Sequence, residues 1–178
     1  MHAPDDILEV FLQPGEFYFG EEKTRIRTLL GSCVAITLWH PRLRIGGMCH
    51  YMLWNRLRPR TDKTLDGRYA EEVMEMFMRE LRRSHTRPAE YQVKIFGGGR
   101  MFDHRPMDKK GKKPESTASR ISICERNAQV GRELVARYGF TSAAEDLGGD
   151  GHRNVVLDLW NGDVWVKKAA KALTIVNA

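Results

Sequence analysis

Alternating apolar and polar positions predict strands in the first third of the chain. Residues 24–30 alternate up to Gly31, and residues 34–39 form a short β-branched and apolar run that His40-Pro41 ends. Runs of this length between turn residues are typical of strands. Residues 45–53 begin with a glycine pair, which allows another backbone to approach closely. We therefore predict three strands over these segments.

Two later segments have helical periodicity. Residues 69–83 carry apolar side chains at helical spacing with glutamates between them, which predicts an amphipathic helix. Residues 125–138 show the same pattern and precede Gly139, a residue type that commonly caps helix C-termini. We predict one helix in each segment.

The remaining pattern predicts a strand between the helices and a hairpin near the C-terminus. Residues 91–96 alternate before three consecutive glycines at 97–99. Those glycines match neither the Walker spacing nor the dinucleotide fingerprint, so a phosphate-binding loop is disfavoured. Residues 155–159 and 164–167 flank an Asn161-Gly162 pair, the strongest short hairpin signal.

Composition predicts a folded, soluble protein with one domain spanning residues 1–178. Of its residues, 42% are apolar and 29% are charged, close to the averages for globular proteins. Residues 1–10 lack a basic head and an apolar core, and no run approaches the roughly 18 apolar residues of a membrane span. We expect a cytoplasmic protein without membrane insertion.

Cysteine and histidine spacing bounds the chemistry. The three cysteines form no Cys-x-x-Cys pair, which disfavours a disulfide framework and a zinc site and fits a reducing compartment. The histidines other than His50 show no ligand spacing. We therefore expect neither a metal nor an organic cofactor.

The net charge of +6 is concentrated in one segment. Residues 100–120 contain seven basic and three acidic residues, together with proline, glycine and serine. This composition predicts a basic flexible loop at about residues 103–119. Three interpretations remain open: a solvated loop, a surface that attracts an acidic protein, and a nucleic-acid surface. The last is disfavoured because Phe102 is the segment's one aromatic residue.

The candidate catalytic residues lie in two short glycine-rich segments. Cys33 follows Gly31-Ser32. His50 lies seventeen positions after the cysteine, in a segment that begins with a glycine pair. A thiolate nucleophile with an imidazole base fits this arrangement, although buried cysteines and structural histidines are common. Ser32 and Cys33 offer consecutive backbone N–H groups that could form an oxyanion hole, with Gly31 and Ser32 as its backbone support. Thr28 could orient the imidazole without adding a charge.

Cys49 is a second candidate thiol beside the same histidine. Successive side chains of a strand point to opposite faces, so we expect Cys49 to lie on the face opposite His50. The pattern therefore favours Cys33.

Residues 28–38 and 46–53 together resemble the signature of the chemoreceptor glutamine deamidase CheD family. The resemblance continues in the same order through residues 94–102, 125–127 and 145–149 and covers roughly residues 7–168. The chain differs from the usual sequence of the family at Gly99, where alanine is usual, and at Trp54, where proline is usual. Neither difference removes a candidate catalytic group.

The resemblance implies an α+β fold with β-sheet layers flanked by helices, similar to toxin-type cysteine deamidases. It implies hydrolysis of glutamine side chains on methyl-accepting chemotaxis receptors, in the cytoplasm at membrane-bound receptor arrays. Cys33 would be the nucleophile, His50 the base and Thr28 the third member. Some members also bind a CheC-type phosphatase. The alternative is a non-catalytic adaptor that binds the receptor or the phosphatase.

Overall fold

The protein's structure, a computed structural model, describes residues 3–56, 64–101 and 122–168. Its strands are β1 (Leu8–Leu12), β2 (Phe17–Gly20), β3 (Thr24–Leu30), β4 (Val34–His40), β5 (Ile45–Cys49), β6 (Gln92–Gly97), β7 (Ser142–Leu147), β8 (Arg153–Asp158) and β9 (Val164–Lys168). Its helices are α1 (Ala70–Arg83) and α2 (Ile123–Arg137), with a 3-10 turn at Pro88–Glu90. Neither α-helix in these ranges is long and apolar enough to cross a membrane.

The strands form two mixed sheets. One has the order β1-β3-β8-β9, in which only β1 and β3 pair in parallel. The other has the order β2-β5-β4-β6-β7, in which only β6 and β7 pair in parallel. The predicted α+β class is confirmed, whereas the finer likeness to toxin-type deamidases stays a prediction.

The five-stranded sheet is covered on both faces. On one face, Val34 and Ile36 of β4 belong to a cluster with Phe77 of α1 and Leu134 of α2. On the other face, Ala35 packs in a second cluster with residues of the four-stranded sheet. Burial on both faces explains why β4 reads as a continuous apolar run and not as an alternation.

Glycines allow β5 to fit tightly between its neighbours. A Cβ added at Gly46 would lie 2.1 Å from the carbonyl oxygen of Leu38, and one at Gly47 would lie 2.4 Å from that of Tyr18. The predicted close approach of backbones is confirmed at this pair.

The predicted elements agree with the structure except for the end of β5. The strand ends at Cys49, and the prediction that it continues to residue 53 is wrong. Beyond it, the N–H groups of Met52 and Leu53 both donate to the carbonyl of Arg68, before α1. The chain therefore leaves the sheet ladder to meet the start of the first helix.

Three strands were not predicted, namely β1, β2 and β7. Both β1 and β7 are edge strands with mostly exposed residues, so they lack the apolar periodicity of buried strands. The predicted basic loop at about residues 103–119 lies outside the described residues. The single domain over residues 1–178 stays a prediction for the same reason.

Candidate active site

The candidate residues meet between the two sheets, at one end of β4. Thr28 lies on β3, Cys33 lies in the turn that leads into β4, and His50 directly follows β5. Val34 pairs with Tyr51, which continues the antiparallel register of β4 and β5. In that register Cys33 and His50 are diagonal neighbours on one face of the sheet.

Cys49 lies on the opposite face, as predicted. It belongs to the cluster beneath the helices, whereas Cys33 packs against the cluster between the sheets. The Cys49 Sγ accepts a hydrogen bond from the N–H of Ile36 at 3.3 Å. Burial raises the pKa of this thiol to about 12.

Thr28 and His50 form a buried hydrogen bond. The distance between Thr28 Oγ1 and His50 Nδ1 is 2.7 Å, and the same hydroxyl donates to the carbonyl of Leu12 at 2.9 Å. A hydroxyl has one proton to donate, so Oγ1 must accept from the Nδ1–H of His50. This bonding fixes the imidazole tautomer and leaves Nε2 as the unprotonated nitrogen.

The environment of His50 favours its neutral form. The residue is 1% exposed, and its Nε2 has no hydrogen-bond partner among the residues that the structure describes. Burial lowers the pKa of the imidazole to about 4, although the nearby Leu12 carbonyl opposes this shift. At neutral pH the ring therefore has a free basic nitrogen.

Cys33 is partly buried, and two effects on the pKa of its thiol oppose each other. Burial raises the pKa of its thiol, whereas a hydrogen bond from the Ser32 side chain lowers it. The burial effect is the larger. Cys33 and His50 thus rest as a neutral thiol and a neutral imidazole, and not as a thiolate–imidazolium pair.

The turn before Cys33 is held by its carbonyl groups. The Gly31 carbonyl accepts from the Gly99 N–H at 2.9 Å, and the Cys33 carbonyl accepts from the Gly98 N–H at 2.8 Å. The Ser32 carbonyl accepts from the Asn127 side chain at 3.3 Å. In a trans peptide the N–H points away from the carbonyl of the same unit, so the N–H groups of Ser32 and Cys33 face away from these partners.

The glycine segment after β6 is shaped to accept this turn. Gly97 has a φ of +119°, and a Cβ there would lie 2.2 Å from the Cys33 carbonyl oxygen. The guanidinium of Arg153 is buried beneath the segment and donates to the carbonyls of Gly97 and Gly148. It also pairs with Asp146 at 3.2 Å. The three-glycine run therefore supports the nucleophile turn.

Asn127 belongs to the 125–127 block that resembles the family, and it is a buried polar residue to which sequence reasoning assigned no role. It is fully buried on α2, and its Nδ2 donates to the carbonyl of Met52 at 2.7 Å as well as to that of Ser32. The available signal was an asparagine on the otherwise apolar face formed by Ala128, Val130 and Leu134. Its contacts depend on how α2 docks, which periodicity alone does not specify.

Within the described ranges, no group of three or more histidine, cysteine or acidic side chains could hold a metal ion. The chemistry available at the site is that of the thiol, the imidazole and the backbone N–H groups. Together they suit nucleophilic attack on a carbonyl carbon.

Comparison with known proteins identifies relatives over most of the chain. The family model for CheD chemotactic sensory transduction matches residues 52–168. A protein of Dechloromonas aromatica named "Probable chemoreceptor glutamine deamidase CheD 3" is 49% identical, over 92% of this chain and 89% of the relative. One from Pseudomonas savastanoi pv. phaseolicola, named "Probable chemoreceptor glutamine deamidase CheD", is 47% identical over 94% and 88%. The similarly named protein of Pseudomonas syringae pv. tomato is 44% identical over 94% and 93%.

A crystal structure of the Bacillus licheniformis hypothetical protein YfiH is also similar. It has a TM-score of 0.46 at 14% identity, covering 72% of this chain and 49% of that chain. A likeness at this level adds nothing to the sequence relationship.

Proposed function

Because the chain belongs to the CheD family, we propose that it is a protein-glutamine deamidase of chemoreceptors. It hydrolyses glutamine side-chain amides of methyl-accepting chemotaxis receptors to glutamate and ammonia. The names of the relatives supply the substrate class. The observation that carries the chemistry is the Thr28–His50 hydrogen bond, because it leaves an unprotonated Nε2 on the sheet face that also carries Cys33.

The first half-reaction is acyl transfer to the cysteine. The Cys33 thiol passes its proton to His50 Nε2 as its sulfur attacks the δ-carbon of the glutamine. The N–H groups of Ser32 and Cys33 stabilise the oxyanion that forms. The imidazolium then protonates the amide nitrogen, the C–N bond breaks, and ammonia leaves a thioester on Cys33.

The second half-reaction is hydrolysis of that thioester. His50 Nε2 takes a proton from water as the water oxygen attacks the thioester carbon. The C–S bond breaks, glutamate is released, and the proton returns to the Cys33 sulfur. The histidine therefore acts as base and as acid in each half-reaction.

Thr28 keeps the imidazole ready for both steps. Its hydroxyl accepts from Nδ1–H and donates to Leu12, so the ring cannot present its protonated nitrogen to the thiol. A neutral hydroxyl orients the ring without a buried carboxylate, which is consistent with the lowered pKa of His50. The free-base form is thereby maintained at neutral pH.

The proposal is tested by the intact mass of a receptor cytoplasmic fragment incubated with the wild-type protein or with Cys33→Ala. Conversion of an amide to an acid adds about one dalton per site, which we expect with the wild type alone. An unchanged mass despite demonstrable binding would instead support the adaptor alternative. Association with a CheC-type phosphatase and action at membrane-bound receptor arrays stay predictions of the family resemblance.

A further inference from the structure

The side-chain amide of Asn127 joins the two segments that carry the nucleophile and the base. Its Nδ2 donates to the carbonyl of Ser32, which immediately precedes Cys33, and to the carbonyl of Met52, which lies two residues after His50. Both Nδ2 protons are therefore used on backbone carbonyls. One buried side chain on α2 thus connects the nucleophile turn with the chain that leaves β5.

Anchoring of α2 does not account for this amide. The helix is already held at this point by the Tyr51 hydroxyl, which donates to the backbone carbonyl of Asn127 at 2.7 Å. Its first turn is closed by the Ser122–Glu125 capping box. The Asn127 Oδ1 is buried with no hydrogen-bond partner among the described residues. A half-satisfied amide stabilises a core poorly, so the contribution of this side chain lies in its two donors.

The bond to Ser32 acts on the peptide unit that ends in the Cys33 N–H. The Ser32 carbonyl and the Cys33 N–H belong to one planar trans unit and point in opposite directions. A donor fixed to the carbonyl therefore sets the direction of the N–H. It also polarises the peptide, which strengthens that N–H as a donor.

We propose that Asn127 is a positioning residue that holds the Ser32–Cys33 peptide so that the Cys33 N–H stabilises the reaction's oxyanion. This inference rests on the proposed deamidase function. Asn127 acts through the peptide and does not touch the reacting atoms.

Two rates measured on Asn127→Ala separate this role from a structural one. Ammonia release from a glutamine-containing receptor fragment builds an oxyanion, whereas alkylation of Cys33 by iodoacetamide does not. We expect kcat for ammonia release to fall about 100-fold with KM nearly unchanged, as when one oxyanion donor is lost. Alkylation of Cys33 should stay within about threefold of the wild-type rate, since the thiol and His50 are intact.

Tyr51→Phe is the matched control. It removes a buried hydrogen bond to the backbone of Asn127 but leaves both Nδ2 bonds in place. We expect ammonia release to stay within about threefold of the wild-type rate. If Asn127→Ala does not fold, Asn127→Leu retains the side-chain volume and also lacks the donors, so the same two rates can be measured on it.

Three results would overturn the proposal. The Asn127 variant could release ammonia at the full rate, or it could lose Cys33 alkylation and ammonia release equally. Tyr51→Phe could also lose as much ammonia release as the Asn127 variant. Failure of the deamidase function itself is a different result, because the wild-type protein would then release no ammonia.

Discussion

The two faces of the β4–β5 pair each carry a cysteine, and the two thiols differ in burial and in hydrogen bonding. On the helix face, Cys49 is fully buried and accepts a backbone hydrogen bond, and burial raises the pKa of its thiol to about 12. On the face toward the other sheet, Cys33 is only partly buried and receives a hydrogen bond from Ser32. Only the second thiol is placed to meet a substrate.

The neighbouring residues His50 and Tyr51 repeat this contrast. The Tyr51 hydroxyl points to the helix face and is satisfied by the Asn127 carbonyl, whereas the His50 Nε2 has no partner within the described ranges. The Tyr51 hydroxyl therefore stabilises the fold, whereas the His50 Nε2 keeps an unused lone pair that can accept a proton. The strand alternation that separates them is the basis of both states.

Replacing the cysteine on the sheet-facing side should have the largest effect. Cys33→Ala removes the nucleophile, and we expect ammonia release from a receptor fragment to fall by at least about 1,000-fold. Circular dichroism should show an intact fold. Residual turnover near the wild-type rate would mean that another group forms the thioester.

Removing the base should be nearly as damaging. His50→Gln keeps a polar side chain of similar size but has no basic nitrogen, and we expect a loss of about 100- to 1,000-fold in kcat. Iodoacetamide should also alkylate Cys33 more slowly in this variant at neutral pH. An unchanged alkylation rate would show that the imidazole does not take the thiol proton.

The lowered pKa of His50 predicts a stability change with pH. The folded imidazole has a pKa of about 4 and the unfolded one 6.5, so the unfolded chain binds more protons between these values. The contribution of neutral His50 to the free energy of unfolding is complete above pH 6.5. It is lost as pH falls toward 4, and it amounts to about 3 kcal/mol. The free energies of unfolding of wild type and His50→Gln, measured by urea titration, should therefore converge or cross as the pH is lowered. The same pH dependence of the unfolding free energy in both proteins would contradict the lowered pKa.

Loss of the orienting hydroxyl should have a smaller effect. Thr28→Val preserves shape but removes the acceptor for His50 Nδ1–H, so the imidazole can adopt the wrong tautomer. We expect kcat to fall about tenfold, since no reacting group is lost. Thr28→Ser retains a hydroxyl and should restore most of the rate. Equal losses in the two variants would assign the effect to packing.

The cysteine on the helix face should matter least for catalysis. Cys49→Ala is expected to keep ammonia release within about threefold of wild type while lowering the free energy of unfolding by about 1 to 2 kcal/mol. Chemical denaturation and a turnover assay measure the two effects. A large loss of turnover in a folded variant would remove the distinction between the faces.

Much of this arrangement could be predicted because it depends on local sequence. Strand alternation is enough to place Cys49 opposite His50, and the glycines mark the turn beside Cys33 and the tightly packed strand β5. Helical periodicity indicated α1 and α2 to within two residues at each end. These signals act over a few residues and need no knowledge of the tertiary packing.

The remaining features depend on contacts between distant segments. The exposed edge strands β1 and β7 lack a buried face, so apolar periodicity does not reveal them. The Leu12 carbonyl that fixes the His50 tautomer through Thr28 becomes a neighbour only when β1 pairs with β3. Asn127 likewise meets Ser32 only after α2 docks on the sheet.

The most direct test of the contrast between the two faces is partial alkylation. The protein is treated with iodoacetamide until half of its ammonia-release activity remains, and the modified cysteines are mapped by peptide mass spectrometry. Our account predicts that half of Cys33 is modified while Cys49 is untouched. Half-inactivation with Cys33 unmodified, or with Cys49 modified in proportion to the lost activity, would contradict it.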